Sequence, residues 1–192
     1  MTISESQSSA VTRRTCLMGL SAALCGAVSP AFATAPAILT GAGDYRSVHL
    51  VNNRTQDWLN TVYWVEGDYV PEAMEAISHL MRDWRAEQVK RIDPRTIDII
   101  SAAHRLLECS EPFEVVSGYR SAQTNARLRR RNRGVARKSY HVLAMAADLK
   151  LKSRSIRQIS RAGKALGAGG VGTYSRSQFV HLDSGPVRDW GR

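Results

Sequence analysis

The stretch KSYHVLAMAADLKLK, from Lys138 to Lys152, ends in a strand-like alternation that carries an acidic residue. Successive side chains of a strand point to opposite faces, so Asp148 points away from the face that holds Leu149 and Leu151. A carboxylate among apolar residues is costly to bury unless a hydrogen bond, a cation or a metal ion pairs with it. His141 lies seven residues earlier and can fold over the same face.

A second segment near the end of the chain has the same character. In FVHLD, the side chains of His181 and Asp183 point to one face of a strand. Val180 and Leu182 point to the other face. If the aliphatic faces of both strands pack on one core, His181 and Asp183 face the same cleft as Asp148. Imidazole and carboxylate groups that meet there predict a divalent-metal site, since zinc takes N and O ligands at about 2.0–2.2 Å. Alternatively, these His and Asp residues are ordinary surface residues or buried residues whose hydrogen bonds are satisfied within the core.

The rest of the chain mixes helix and hairpin patterns. The first helix is expected to bury Trp84, and the second helix is expected to bury Leu106. This order favours an α+β fold, which we expect to be a small antiparallel sheet with helices packed on one side. In chain order, the predicted elements are a hairpin from Tyr45 with its turn at Asn52-Asn53, helices over 71–85 and from Asp93 to about Cys109, a strand over 113–121, a basic helix over 122–134, a strand over 146–153, a helix over 155–170 and two short strands over 171–185.

The N-terminus has the layout of an export signal. Arg13 and Arg14 precede an apolar run and then the small residues AFATA, which is typical of a secretory signal with a twin-arginine pair. The apolar run is shorter than the roughly 20 residues that span a bilayer, although an uncleaved membrane anchor is the alternative. We therefore expect a signal peptide over 1–33, a flexible leader over 34–44 and a single domain over 45–192. The expected location is the periplasm or cell envelope, with no stable membrane span after cleavage.

The charge of the chain indicates a polyanionic neighbour. The net charge is +10, and RLRRRNRGVARK, ending at Lys138, is the most basic run. This run is either a solvent-exposed helix surface or a surface that binds an anionic wall polymer electrostatically. Nucleic acid is the weaker partner, because the run lacks interleaved aromatic residues and the signal predicts export. Cys109 is the only cysteine left after cleavage, so we expect a small buried side chain and no internal disulfide.

Three ordered motifs carry a family resemblance. SYHVLAMAAD, which ends at Asp148, is similar to the pattern Ser-x-His-x-x-Gly-x-Ala-x-Asp of the zinc D-Ala-D-Ala metallopeptidases. SGYRS at 117–121 and FVHLDSGPVRDW at 179–190 resemble two further segments of that hedgehog/lysostaphin superfamily. The likeness is greatest to its exported branch of murein endopeptidase K-like proteins. One position departs from the pattern, because Ala144 stands where the family has Gly.

The resemblance implies a zinc enzyme that acts on peptidoglycan. Carried over residue by residue, it makes His141, Asp148 and His181 the ligands of a Zn²⁺ ion and implies hydrolysis of peptide cross-links by a zinc-activated water. A D,D- or L,D-carboxypeptidase on stem peptides and a non-catalytic wall-binding module remain alternatives.

Other candidate residues have two open roles each. Asp183 is either the general base or a group that orients a liganding His. Arg120 either binds a substrate carboxylate or the oxyanion, or forms an ordinary salt bridge. Ser139 either hydrogen-bonds substrate or is a plain turn residue. Ser117, Tyr119 and Trp190 are weaker candidates.

Overall fold

The computed structural model describes residues 43–191. The predicted signal peptide and most of the predicted leader lie outside the described residues. Eight strands form one sheet in the order β3-β2-β1-β4-β5-β7-β6-β8. The strands are β1 Tyr45–Asn52, β2 Asp57–Val65, β3 Asp68–Tyr69, β4 Phe113–Ser117, β5 Ala146–Lys150, β6 Gly170–Tyr174, β7 Phe179–Asp183 and β8 Arg188–Gly191.

Four α-helices and one short 3-10 helix complete the described chain. They are α1 Pro71–Leu80, α2 Pro94–Leu106, α3 Ala122–Arg131, the 3-10 helix Tyr140–Leu143 and α4 Ile156–Leu166. Side-chain caps begin three of them: Asp93 accepts from the Arg95 N–H, Ser121 from the Thr124 N–H, and Ser155 from the Gln158 N–H. None of the helices within 43–191 is long and apolar enough to cross a membrane.

The hydrophobic core lies between α1, α2 and α4 and one face of the sheet. Leu149 of β5 and Leu182 of β7 point into this core and are fully buried, together with Ile77, Ile100 and Ile159 of the helices. Asp148 and His181 are register partners on these two antiparallel strands. Because neighbouring residues in a strand alternate, both polar side chains point to the opposite face of the sheet. The core thus holds the two strands that carry the polar residues.

The α+β class is confirmed, but the sheet is larger and more varied than predicted. Strand β1 pairs with β4 in parallel, and β6 pairs with β8 in parallel, so the sheet is mixed rather than antiparallel. Strand β8 was not predicted, because RDWG has no apolar alternation. Its parallel pairing with a strand 18 residues earlier supplies the hydrogen bonds that define it.

The first two helices are shorter than predicted. Helix α1 ends at Leu80, because the Met81 carbonyl accepts the Tyr119 N–H and Asp83 forms its own turn with Gln88. Trp84 therefore lies in a loop and is only half-buried. Leu106, expected on the buried face of α2, is 55% exposed in the last turn of that helix. Both errors concern the last turn of an amphipathic pattern, where packing rather than periodicity decides burial.

Candidate active site

Three side chains from β5, β7 and the 3-10 helix converge on the face of the sheet that lies opposite the core. His141 Nε2 lies 3.2 Å from Asp148 Oδ1 and 3.1 Å from His181 Nδ1, and the third side of this donor triangle, from His181 Nδ1 to Asp148 Oδ1, is 2.9 Å. Ligands of a tetrahedral zinc ion with bonds of about 2.0–2.2 Å are separated by roughly 3.3–3.6 Å, slightly more than the sides of this triangle. The donor triangle therefore fits one small divalent cation, and its two nitrogens and one oxygen are donors that zinc accepts.

Each imidazole is held from behind by a hydrogen bond. His141 Nδ1 donates to the Gly118 carbonyl at 2.7 Å, which leaves the lone pair on Nε2. His181 uses the opposite tautomer, because Nε2 donates to Asp183 Oδ2 at 2.9 Å and leaves the lone pair on Nδ1. Such partners orient ligand rings and set their tautomers in metalloproteins. In both rings the free nitrogen is the one that belongs to the donor triangle.

Electrostatics couple the three groups. Burial raises the pKa of Asp148, but the two neighbouring imidazoles outweigh that effect and hold the pKa well below its usual range. Burial also dominates at His141 and lowers its pKa. At His181 burial acts in the same direction, yet the hydrogen bonds to Asp148 and Asp183 raise the pKa to about 9. In the metal-free protein at pH 7, His181 therefore carries a second proton on Nδ1, and a metal ion would have to displace this proton to reach the lone pair.

Asp183 lies behind His181 and is fully buried. Its Oδ2 accepts from His181 and from Arg188 Nη2 at 2.7 Å, while its Oδ1 accepts the Gly185 N–H at 2.9 Å and Arg188 Nη1 at 3.0 Å. Burial raises the pKa of Asp183, but the His181 and Arg188 hydrogen bonds outweigh it and lower the pKa well below its usual range. Arg188 itself lies between the rings of Tyr140 and Trp190. Both carboxylate oxygens are thus already used inside the protein.

The loop that carries His141 is anchored to α2. The Ser184 N–H donates to the Met145 carbonyl, and the Ser184 hydroxyl donates to Asp93 Oδ2 at 2.7 Å. The Asp93 N–H in turn donates to the Ala144 carbonyl at 2.9 Å. The N-cap of α2, the end of β7 and the loop after His141 therefore hold one another in place.

Ala144 adopts the left-handed conformation that the family glycine suggests, with φ 60° and ψ 35°. This conformation costs a non-glycine residue about 1 kcal/mol. The methyl group is fully buried, which returns roughly 0.8 kcal/mol. Burial of the methyl group therefore offsets much of the cost of the left-handed conformation at Ala144.

The donor triangle lies in a cleft of about 740 Å³. Arg120 and Ser139, both predicted as substrate-binding, line this cleft, as does Trp190. Arg120 Nη2 lies 3.6 Å from Asp148 Oδ2 and donates to Ser117 at 3.1 Å. Tyr119 does not line the cleft in the described structure and instead packs against the core.

Several cleft residues were not found from the sequence. Lys138, Arg176 and Arg188 join the predicted Arg120 as cations that line the cleft, whereas Asp148 is the only carboxylate among its lining residues in the described chain. Tyr140, Tyr174 and Phe179 add aromatic surface. One signal was present in the sequence, because Gly172 alternates with bulky residues and a Cβ there would lie 2.6 Å from the Trp190 ring. A glycine at that position lets Trp190 cover the sheet beside His181.

Comparison with known protein sequences shows which family this chain resembles. Residues 40–190 match the model of the family described as peptidoglycan L,D-endopeptidase MepK. The chain belongs to the MepK family. It is 39% identical to the peptidoglycan L,D-endopeptidase MepK of Escherichia coli K12 over 166 residues, which cover 84% of this chain and 86% of that protein. It is 36% identical to the probable peptidoglycan L,D-endopeptidase MepK of Haemophilus influenzae over 140 residues, 72% of this chain and 75% of that protein. No solved structure gives a significant match.

Membership of the MepK family confirms the resemblance seen in the three motifs. All of these motifs lie inside the matched region, and they supply the donor triangle, Arg120 and the Arg188–Asp183 pair. His49, His79 and His104 lie outside the cleft of this MepK-family chain. Cys109 is half-buried, 3.7 Å from His104, and burial raises the pKa of its thiol.

Proposed function

We propose that this chain is an exported, zinc-dependent endopeptidase that hydrolyses peptide cross-links of peptidoglycan. The observation that carries the proposal is the donor triangle. Two imidazoles, each held by a hydrogen bond at its other ring nitrogen, and one carboxylate place their donor atoms 2.9–3.2 Å apart in an open cleft. Family membership supplies the substrate class, since the relatives are named as peptidoglycan L,D-endopeptidases. The twin-arginine-type signal and the domain over 45–192 remain part of this proposal.

His141, Asp148 and His181 would hold the zinc ion. When bound, zinc acidifies a coordinated water and polarises a carbonyl group, which is the chemistry that amide hydrolysis needs. Arg120 lies beside this position and is buried, at 9% exposure of the whole residue. We assign Arg120 to the substrate, as the donor to a carboxylate or to the oxyanion that develops at the cleaved bond. Ser139 lies at the start of the His141 loop and offers a hydroxyl to the substrate backbone.

We assign Asp183 to the orientation of His181 rather than to proton transfer. A general base must reach the proton that it removes. Asp183 is fully buried, and its oxygens already accept from His181, from Arg188 and from two backbone N–H groups. The Asp183 carboxylate thus fixes the tautomer that directs His181 Nδ1 into the donor triangle.

The test combines metal analysis with digestion of purified sacculi. We expect about one zinc ion per chain, and we expect the protein to convert cross-linked muropeptides into monomers. The His181→Ala variant should lose both the zinc and the cleavage. His79→Ala, an exposed histidine on α1, is the matched control and should retain both. A chelator should stop digestion, and added zinc should restore it.

Fragment masses separate the alternatives. Loss of only a terminal residue from stem peptides would make the chain a carboxypeptidase. Full zinc content without any cleavage of sacculi or soluble muropeptides would make it a wall-binding module. Either result would overturn the endopeptidase proposal.

A further inference from the structure

A second cavity lies outside the catalytic cleft, and three of its five lining residues are arginines. Its volume is about 400 Å³, and its walls are Trp84, Arg85, Arg127, Leu128 and Arg131. Arg127 and Arg131 are one helical turn apart on α3, so both reach the same side of that helix. Neither the donor triangle nor the assigned substrate contacts use these residues.

Trp84 is the platform of this cavity. The Arg85 guanidinium lies 4.1 Å from the centre of the Trp84 ring, and the Arg54 guanidinium lies 5.2 Å from it. Stacking on an aromatic ring orients a guanidinium plane and leaves its N–H groups free to bind an anion. Arg54 comes from the turn between β1 and β2, so three separate segments bring cations to one indole.

The three arginines of this cavity, and Arg54 above the Trp84 ring, lack ion pairs with carboxylates in the described chain. Within residues 43–191, none of Arg54, Arg85, Arg127 and Arg131 forms an ion pair with a carboxylate. The nearby Asp83 offsets part of this charge, but its carboxylate forms hydrogen bonds to the backbone N–H groups of Arg85 and Ser121 and no ion pair with any of the four arginines. Burial and the charges of Arg120, Arg54 and Arg127 lower the pKa of Arg85 and outweigh the opposite effect of the Asp83 charge. Such an excess of one charge sign is stabilised by a bound anion.

The cavity is close to the catalytic cleft. The segment with Trp84 packs on the segment with Arg120, through the hydrogen bond from Tyr119 to the Met81 carbonyl at 2.7 Å and the one from the Ser121 N–H to Asp83 at 2.9 Å. Helix α3 begins directly after Ser121, and the chain that follows it returns to the cleft at Asn132. Ten helical residues span about 15 Å. A polymer of modest length can therefore occupy both cavities.

We propose that Arg54, Arg85, Arg127 and Arg131 around Trp84 form a second binding site for the free carboxylates of peptidoglycan stem peptides. The proposal rests on the proposed function, since the same polymer would supply the cleaved cross-link. Arginine binds carboxylates in a planar fork, and Leu128 offers apolar surface to the aliphatic parts of the peptide. A site of this kind holds the enzyme on the wall between cleavages and raises the local concentration of cross-links at the cleft.

The test compares binding with cleavage in Arg127→Gln/Arg131→Gln. Both side chains are exposed, so the fold should be retained. We expect co-sedimentation with sacculi to weaken about five- to tenfold and to depend less on salt. Turnover of a soluble, cross-linked muropeptide dimer should stay unchanged, whereas turnover of intact sacculi should fall.

Helix α4 offers a matched control. Arg157→Gln/Arg161→Gln removes two exposed arginines that are also four residues apart and leaves the cavity intact. This control should bind sacculi like the unaltered protein. Equal losses in both pairs would overturn the proposal, because net charge alone would then explain binding. If both double variants bind sacculi as well as the unaltered protein does, the proposal is also wrong.

Two further arms identify the anion and separate this proposal from the proposed function. Sacculi whose carboxylates have been converted to amides should bind weakly to the unaltered protein and to the Arg127→Gln/Arg131→Gln variant alike. Undiminished binding to amidated sacculi, with displacement by polyphosphate, would assign the cavity to phosphate polymers and overturn the carboxylate assignment. Co-sedimentation of chelated protein does not depend on cleavage. If the unaltered protein hydrolyses nothing but still binds sacculi through this cavity, the proposed function is wrong and the binding-site proposal stands.

Discussion

At the scale of single residues, the orientation of His181 depends on a chain of contacts that extends away from the donor triangle. Arg188 binds Asp183 with both terminal nitrogens, at 2.7 and 3.0 Å, and Asp183 accepts the Nε2–H of His181. A buried carboxylate keeps its charge only when such partners are present. In the proposed zinc site, Arg188 and Asp183 would therefore position a ligand nitrogen.

Replacement of Asp183 by Asn separates positioning from proton transfer. Asp183→Asn weakens the hold on the His181 tautomer, so we expect zinc affinity to fall by about ten- to a hundredfold. Competition with a chelator of known affinity measures this change. Asp189→Asn, an exposed carboxylate on β8, is the control and should bind zinc normally. Unchanged zinc affinity with lost turnover would instead make Asp183 the general base.

The pKa of His181 predicts how metal binding depends on pH. This pKa is raised to about 9, because the hydrogen bonds to Asp148 and Asp183 outweigh burial. At pH 7 the imidazole is therefore protonated, and a metal ion must displace the proton. Affinity for zinc should rise about tenfold per pH unit from pH 7 and level off near pH 9. Calorimetric titration in two buffers of different ionisation enthalpy should show release of about one proton at pH 7, and no release would contradict the prediction.

At the scale of elements, Asp83 decides where two helices end and begin. The residue is buried at 1% exposure, and its carboxylate accepts the Arg85 N–H at 3.1 Å and the Ser121 N–H at 2.9 Å. Burial raises the pKa of Asp83, but its hydrogen bonds, including those from Ser121, outweigh this effect and lower it. The carboxylate thus joins the loop after α1 to the N-cap of α3, next to Arg120.

Removal of the Asp83 carboxylate should destabilise the domain without touching the cleft. Asp83→Ala leaves buried N–H groups without acceptors, which costs about 2–4 kcal/mol of unfolding free energy. Urea denaturation monitored by circular dichroism measures this loss. Glu75→Ala on the exposed face of α1 is the charge-matched control, with an expected change below about 0.5 kcal/mol. Equal stability of the two variants would show that the Asp83 contacts contribute nothing.

At the scale of the whole molecule, the core and the donor triangle lie on opposite faces of the same sheet. Apolar side chains of α1, α2, α4 and the strands fill the core face, with Leu50, Ile100 and Leu182 fully buried. Within the described residues Cys109 is a free cysteine, so no disulfide supports this core. Because this apolar core stabilises the fold, the domain should form without metal, in contrast to small zinc-dependent domains.

Removal of the metal should lower stability while leaving the fold intact. Zinc at a thousandfold excess over its dissociation constant adds about 4 kcal/mol, which corresponds to roughly 8–16 °C in Tm for a domain of this size. Thermal unfolding with and without chelator measures the shift, and the far-ultraviolet circular dichroism should stay the same. His141→Ala should show no shift on chelation. Complete loss of secondary structure in the chelated protein would contradict this prediction.

Local periodicity explains what could be predicted at the site. Alternation along β5 and β7 places Leu149 and Leu182 on one face and Asp148 and His181 on the other, because a strand reverses its side chains at every residue. The cap at Asp93 and the alternation of β5 likewise depend on neighbouring residues only. The same rule places Asp183 on the face of His181, but it does not say which oxygen meets which nitrogen.

The sequence by itself therefore determined the α+β class and the family motifs, since these follow from local patterns. The motifs also predicted His141, Asp148 and His181 as metal ligands, and this remains a prediction. Only the tertiary structure decided that the Asp183 carboxylate forms hydrogen bonds with His181 and with Arg188 of β8. It also decided that α1 ends before Trp84. Each of these depends on contacts between segments far apart in the chain. The free energy of such contacts belongs to the pair of segments, and neither segment alone contains it.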